Sequence, residues 1–150
     1  MIRLALLAVT VLSAQNIRVK VEKDIDLTSI KTFRVDPGFI HGRHYKLDET
    51  TLRQNLENHL AARVATVLRP AATPDAIVTY SLRANDDKDN RKRPRDITRY
   101  TLEIRILDRA RRPLWTAVCT GTVEDRRQQY VERHLQRSVT LAIAKYRQAQ

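Results

Sequence analysis

The sequence predicts an α/β fold of the α+β two-layer sandwich kind: a five-stranded, mixed but mainly antiparallel sheet with two helices on one face, in the order ββαβββα. Three observations predict it. Five stretches alternate apolar and polar residues with a period of two, the pattern of strands with one dry and one wet face. Two longer stretches repeat apolar residues every three or four positions, which gives each helix a single apolar stripe. Two such helices cover one side of a sheet and leave the other polar and open.

Residues 1–14 stand apart from this pattern. Arg3 precedes an apolar run from Leu4 to Leu12, and the small residues Ser13 and Ala14 follow. That is the layout of a secretory signal peptide cleaved after Ala14, and the run is too short to span a bilayer, which needs roughly 20 apolar residues. Residues 15–150 then form a single domain with no further transmembrane segment. The lone Cys119 lies far downstream, so the chain has neither a cysteine for an N-terminal lipid anchor nor a second one for an internal disulfide.

Within the domain, Ile17, Val19 and Val21 alternate with Arg18, Lys20 and Glu22 in a first strand. Asp26 to Ser29 make one helical turn or tight connection, and Phe33 and Val35 mark a second strand ended by Pro37 and Gly38. Asp48 caps a long helix with Leu52, Leu56, Leu60, Val64, Val67 and Leu68 on its stripe, and Pro70 stops it. A third strand buries Ala76, Val78, Tyr80 and Leu82; a fourth buries Tyr100, Leu102, Ile104 and Ile106. Between them Asn85 to Asp96 reads as an irregular insertion. The polar turn from Asp108 to Pro113 makes the fifth strand, Leu114 to Val123, antiparallel to the fourth, with Trp115, Ala117 and Cys119 in the core. Val131, Leu135, Val139, Ala142, Ile143 and Tyr146 form the stripe of the last helix.

The 28 basic and 17 acidic residues give a net charge of +11. Such a balance favours anionic partners, but arginine outnumbers lysine 21 to 7, as a GC-rich genome produces without selection for binding. Alternation collects Arg18, Lys20, Arg34, Arg83 and Arg105 on the open sheet face, opposed by Glu22 and Glu103. Arg91, Lys92, Arg93 and Arg95 form a second basic group, a candidate loop for anionic ligands. Nucleic-acid platforms also need exposed aromatic rings for base stacking, and Phe33, Tyr80 and Tyr100 fall on the buried side, which disfavours nucleic acid.

Three segments carry a family resemblance: Asp24 to Phe33, Pro74 to Tyr80, and Tyr100 to Asp108 running on to Leu114-Trp115. Together they resemble the domain of unknown function 4136 (DUF4136) family of bacterial envelope proteins and lipoproteins. The resemblance implies an α/β sandwich at an envelope address, and this chain departs from the lipoproteins in having no lipidation cysteine.

No catalytic or metal-binding constellation emerges. Gly38, Gly42 and Gly121 are not spaced to cradle a phosphate, and His41 with His44 falls short of the four ligands a zinc site needs. His134 and Ser138 lie one turn apart on a helix without an orienting acid or oxyanion hole. Asn85, Asp87, Asp89 and Asp96 echo a calcium loop, but Asn90 replaces its turn glycine and arginines crowd it. The sequence therefore reads as a non-enzymatic, exported protein of the periplasm or exterior that needs no cofactor or metal. Its open polar face or sheet edge is expected to bind another envelope component, a protein first. An anionic lipid or polysaccharide is the alternative partner, and an enzyme with an unrecognised site the more distant one.

Overall fold

The computed structural model describes residues 16–150; the expected leader at 1–14, with its expected cleavage site, lies outside the described residues. The chain runs through β1 (Asn16–Val21), a 3-10 turn (Leu27–Ser29), β2 (Thr32–Val35), β3 (Phe39–His41), α1 (Glu49–Val64), β4 (Arg69–Pro70), β5 (Ala76–Lys88), β6 (Asp96–Leu107), β7 (Pro113–Val123) and α2 (Gln128–Ala149). All strands join one open sheet in the order β1-β7-β6-β5-β2-β4, with β3 also beside β5. The pairs β1–β7, β7–β6 and β6–β5 are antiparallel, whereas β2 and β3 run parallel to β5, and β4 parallel to β2.

The sheet has seven strands, not five, and three local readings are corrected. Pro37 and Gly38 interrupt an edge without ending it: β2 pairs with Ala76–Val78 and β3 resumes against Ser81–Arg83. Helix α1 ends at Val64, six residues before Pro70, and gives way to turns at 65–67, so Pro70 bears only on Arg69, which it pushes towards the extended backbone of β4. Leu68 turns into the core, and Arg69 N and Ala71 N donate to Lys31 O and Phe33 O at 2.9 and 3.0 Å, which makes β4. The supposed insertion at 85–96 is strand at both ends, since β5 and β6 stay paired as far as Lys88 and Asp96, and only residues 89–95 at the tip are irregular.

The core residues fall where the periodicity puts them, except on the edge strand β1, whose Val19 and Val21 stay exposed. Leu52, Leu56, Leu60 and Val64 of α1, and Val131, Leu135, Val139, Ala142, Ile143 and Tyr146 of α2, are buried against the even positions of β5 and β6 and against Trp115, Ala117 and Cys119 of β7. Asp48 caps α1, its Oδ1 accepting from Thr50 N at 3.1 Å and Thr51 N at 3.3 Å. Gly121 lies under the Tyr100 ring, where a Cβ would come within 2.7 Å of it. The ring thereby reaches across to place its hydroxyl 2.9 Å from Ser138 Oγ.

The segments that carry the family resemblance are bonded to one another. Asp75 Oδ2 accepts from Lys31 N at 3.0 Å and Thr32 N at 3.2 Å, and Asp75 N donates to Thr32 Oγ1 at 2.8 Å. Those backbone donors, the Lys31 N–H foremost, hold the Asp75 carboxyl below its ordinary range. Arg109 completes the tie, donating to Pro74 O at 3.0 Å and to Asp75 Oδ1 at 3.3 Å. The motif thus aligns the starts of β2 and β5.

Two helices meet through polar contacts that make stability depend on pH. His59 of α1 donates from Nε2 to Gln136 O of α2 at 3.1 Å, and burial holds its pKa below the ordinary 6.5. Burial, with Arg137 and Arg133 nearby, does the same to His134. The unfolded chain therefore takes up protons first as pH falls, so the contribution of neutral imidazole is present above pH 6.5 and lost below it. The urea midpoint is expected to drop between about pH 7.5 and about pH 5, and less so in His59→Gln. An unchanged midpoint in the parent protein would contradict this.

Candidate binding face

The helices cover one side of the sheet, and the register sets the other out in rows. One row runs Phe39, Ser81, Glu103, Val118, Arg18; the next runs His41, Arg83, Thr101, Thr120, Asn16. Neighbours within a row are about 4.8 Å apart, the spacing of adjacent strands. Thr79, Thr116 and Thr122 extend a hydroxyl-rich, flat surface.

All five predicted face residues lie on this side, but three are matched by carboxylates. Lys20 Nζ is 3.3 Å from Glu22, Arg105 Nε is 3.4 Å from Glu103, and Arg34 Nε is 2.8 Å from Asp36. Asp36 also receives Arg111 at 2.9 Å, and the Arg34 hydrogen bond is the chief reason its carboxyl sits below the usual range. Among the described residues Arg18 and Arg83 have no carboxylate partner, so the face is far less cationic than its composition implies.

Phe39 was not among the expected site residues. It projects from the open side of β3 with 75% of its surface exposed, in the row beside Arg83, and Tyr45 follows at 82%. His41 shares the patch, its Nε2 3.4 Å from Ser81 Oγ. No periodic signal could have found Phe39, because β3 is three residues long and exists only through its pairing with β5.

The hairpin tip between β5 and β6 carries the second basic group. Asp89 Oδ1 accepts from Arg91 N at 3.3 Å and Arg95 N at 3.0 Å, which folds the tip, and Arg91 is further tied to Glu124 at 3.2 Å. Lys92 and Arg93 are exposed, with no carboxylate partner among the described residues. The echo of a calcium loop is dispersed: Asn85 Oδ1 accepts from Arg43 N, Asp87 pairs with Arg99, and Asp96 is 3.6 Å from Arg126.

Ser138, the one nucleophile the sequence offered, and the core Cys119 are both engaged in packing. Ser138 is buried against Tyr100, and burial pushes the Cys119 thiol up to about 11. His44 Nε2 is 3.0 Å from Glu49, turned to that carboxylate and not to His41. Among the described residues no three His, Cys, Asp or Glu side chains are grouped to hold a metal, and no helix is long and apolar enough to cross a membrane.

Fold and face together define an open-faced α+β sandwich. The chain belongs to the DUF4136 family, described as a domain of unknown function, whose model matches residues 17–146. No curated protein matches the sequence. Among solved structures, a PDZ domain protein from Parabacteroides distasonis is similar at a TM-score of 0.59 and 15% identity, over 87% of this chain and 35% of that one. This chain thus spans about a third of that protein, and the likeness shows the fold alone. The PelC dodecamer from Paraburkholderia phytofirmans matches at a TM-score of 0.39 and 16% identity, over 88% of this chain and 94% of that one. A minor lipoprotein from Acinetobacter baumannii matches at 0.35 and 16%, over 79% and 90%.

Proposed function

We propose that this is a non-catalytic binding module of the bacterial cell envelope, exported by its leader to the periplasm or exterior. It docks another envelope protein on the Phe39–Arg83 end of its open sheet face. The observation that carries the reading is the exposed Phe39 side chain on a side of the sheet that no helix covers, one register row away from Arg83, which no carboxylate matches among the described residues. Aromatic and arginine side chains are the usual energetic anchors of protein interfaces. Internal pairing of Lys20, Arg34 and Arg105 lowers the number of cations free to bind a polyanion, which favours a protein over a charged polymer.

The test is photo-crosslinking in living cells from a probe at Ser81, which faces Phe39 across the β3–β5 pair two residues before Arg83, with adducts identified by mass spectrometry. A single reproducible protein adduct is expected. It should fall at least about tenfold in the Phe39→Ser, Arg83→Ser double variant and little in Arg34→Ser, because Asp36 keeps Arg111. Capture that survives the double variant would move the site off this patch.

Lys92 and Arg93 at the hairpin tip favour a second reading, direct binding of anionic lipid or polysaccharide. Its mark would be a steep loss of affinity with added salt.

A further inference from the structure

The large apolar side chains exposed among the described residues sit at two edges of the sheet. Phe39 and Tyr45 belong to the β3 end already described; Val19, Val21 and Leu141 belong to the opposite one. Strand β1 closes the strand order on that side and pairs only with β7. Val19 and Val21 face the helix layer but are 37% and 40% exposed. Helix α2 packs over β7, β6 and β1 and against α1, its α1-facing flank marked by the bonds of Gln136 and Thr140 to His59. Leu141 lies five residues beyond Gln136, about 140° around the helix. It therefore lies on the flank of α2 turned away from α1, the side on which β1 sits, and with the two valines adds exposed apolar surface at an uncapped edge.

The backbone of that edge is equally specific. Glu22 N donates to Leu114 O of the β7 side at 3.1 Å. The alternation of an antiparallel ladder then turns the N–H groups of Lys20 and Arg18 towards β7 and those of Val21, Val19 and Ile17 outwards. On the open-face side the same strand presents Arg18 and Lys20, the latter 3.3 Å from Glu22 just past the strand end, with Lys23 beyond, so the edge keeps a net positive charge. A second copy of the chain fits this edge badly, since two-fold pairing sets Lys20 against Arg18 or against another Lys20, and like charges directly opposite destabilise a strand pair.

We propose that the β1 edge accepts an additional strand from another polypeptide, an extended segment in which acidic residues alternate with apolar ones. Its apolar side chains cover Val19, Val21 and Leu141, its carboxylates meet first Arg18, unpaired among the described residues, and compete with Glu22 for the exposed Lys20, and its backbone pairs with the outward N–H and C=O groups of Val19 and Val21. The inference rests on the binding-module reading and gives it a second surface across the sheet from Phe39, so the two are tested on different residues.

The experiment is amide hydrogen exchange, followed by NMR, with an end-capped synthetic peptide of alternating valine and glutamate. At saturating peptide the Val19 and Val21 amides are expected to gain roughly tenfold protection or more, while a valine–lysine peptide leaves them unchanged. Val19→Pro removes one outward donor without touching the ladder to β7, a place where a sheet tolerates proline, and is expected to stay folded and lose the protection of Val21. Arg18→Glu with Lys20→Glu should reverse the preference between the two peptides. The proposal is overturned if neither peptide protects Val19 and Val21, or if the charge reversal leaves the preference unaltered. Protection that grows with protein concentration alone would make the occupant a second copy, against the proposal. Protection at Ser81 and Arg83 in place of β1 would also overturn it while leaving the Phe39–Arg83 reading intact; loss of the crosslink in cells with β1 protection intact would do the reverse.

Discussion

Trp115→Ala is expected to lower the stability of the domain by about 3–5 kcal/mol and its melting temperature by roughly 10–15 °C. Trp115 is fully buried on β7, with Val21 of β1 on one side and Ile106 of β6 on the other. Its ring meets the buried Tyr146 ring of α2 edge to face, 5.4 Å between centroids at 87°. Removing the indole takes away the largest side chain of the core and leaves Tyr146 without its aromatic partner. Tyr146 is anchored near the end of α2 and cannot follow into the space, so the cavity closes only in part. Trp115→Phe keeps one ring against Tyr146 and should lose less than half as much. Urea and thermal unfolding by circular dichroism measure both, and a loss below about 1 kcal/mol for the alanine variant would show that the core rearranges freely. The open face lies on the other side of the sheet, so capture through Phe39 should persist in Trp115→Ala below its melting temperature.

What the sequence made legible was whatever rests on local periodicity. The stripes of α1 and α2 and the dry faces of β5 and β6 follow from spacing, because a repeated apolar position has only one place to go, whereas the burial of Trp115, Ala117 and Cys119 on β7, where alternation leaves the face open, follows from the large area of the indole. The missed elements have no period of their own. Strand β3 is formed where β5 is long enough to offer a second half, and its exit needs Gly42 at φ 117°, with the Ala84 carbonyl where a Cβ would stand. Strand β4 includes a proline, tolerable because this edge strand has a neighbour on one side only. The polar ends of β5 and β6 lack an apolar signal because they extend towards the hairpin tip. For the candidate face, alternation put the five cations on the correct side. The pairing of Arg34 with Asp36 was also visible as an i, i+2 neighbour, like Lys20 with Glu22 and Glu103 with Arg105. Counting Asp36 would have shown that few of the cations are left unmatched. Arg83 and Phe39 become neighbours only through the β3–β5 register, which is long-range and leaves no mark on the sequence.

Asp86→Ala is expected to cost about 2–4 kcal/mol, a large effect for a polar residue near a hairpin end. The Asp86 side chain is only 7% exposed. Its Oδ1 accepts from the buried Thr98 hydroxyl across the β5–β6 pair at 3.0 Å, and its Oδ2 from Tyr45 N at 3.0 Å. Its own N–H donates to Arg43 O at 2.7 Å. Arg126, just before α2, comes within 3.7 Å of the same carboxylate and donates to Asp87 O at 2.7 Å and Ile97 O at 3.1 Å. One carboxylate therefore fastens the hairpin, the loop after β3 and the approach to α2. Alanine would leave the buried Thr98 hydroxyl without its acceptor, which costs about 1–3 kcal/mol, and would release the exposed Tyr45 N–H to water. Arg126 would keep its two carbonyls and Asp96 but lose its least exposed counter-charge. In a double-mutant cycle with Arg126→Leu, urea unfolding should give a coupling of about 1 kcal/mol or more, because the two residues share partners on both strands of the hairpin. Asn at position 86 keeps one acceptor oxygen and should fall between the parent and alanine. Release of Tyr45 should show as faster amide exchange across residues 42–46, the segment continuous with β3, and so as weaker capture through Phe39 at temperatures where the core is still folded. Additive losses with an unchanged exchange pattern would mean that the carboxylate serves the hairpin alone and that the docking patch is held by the β3–β5 ladder without it.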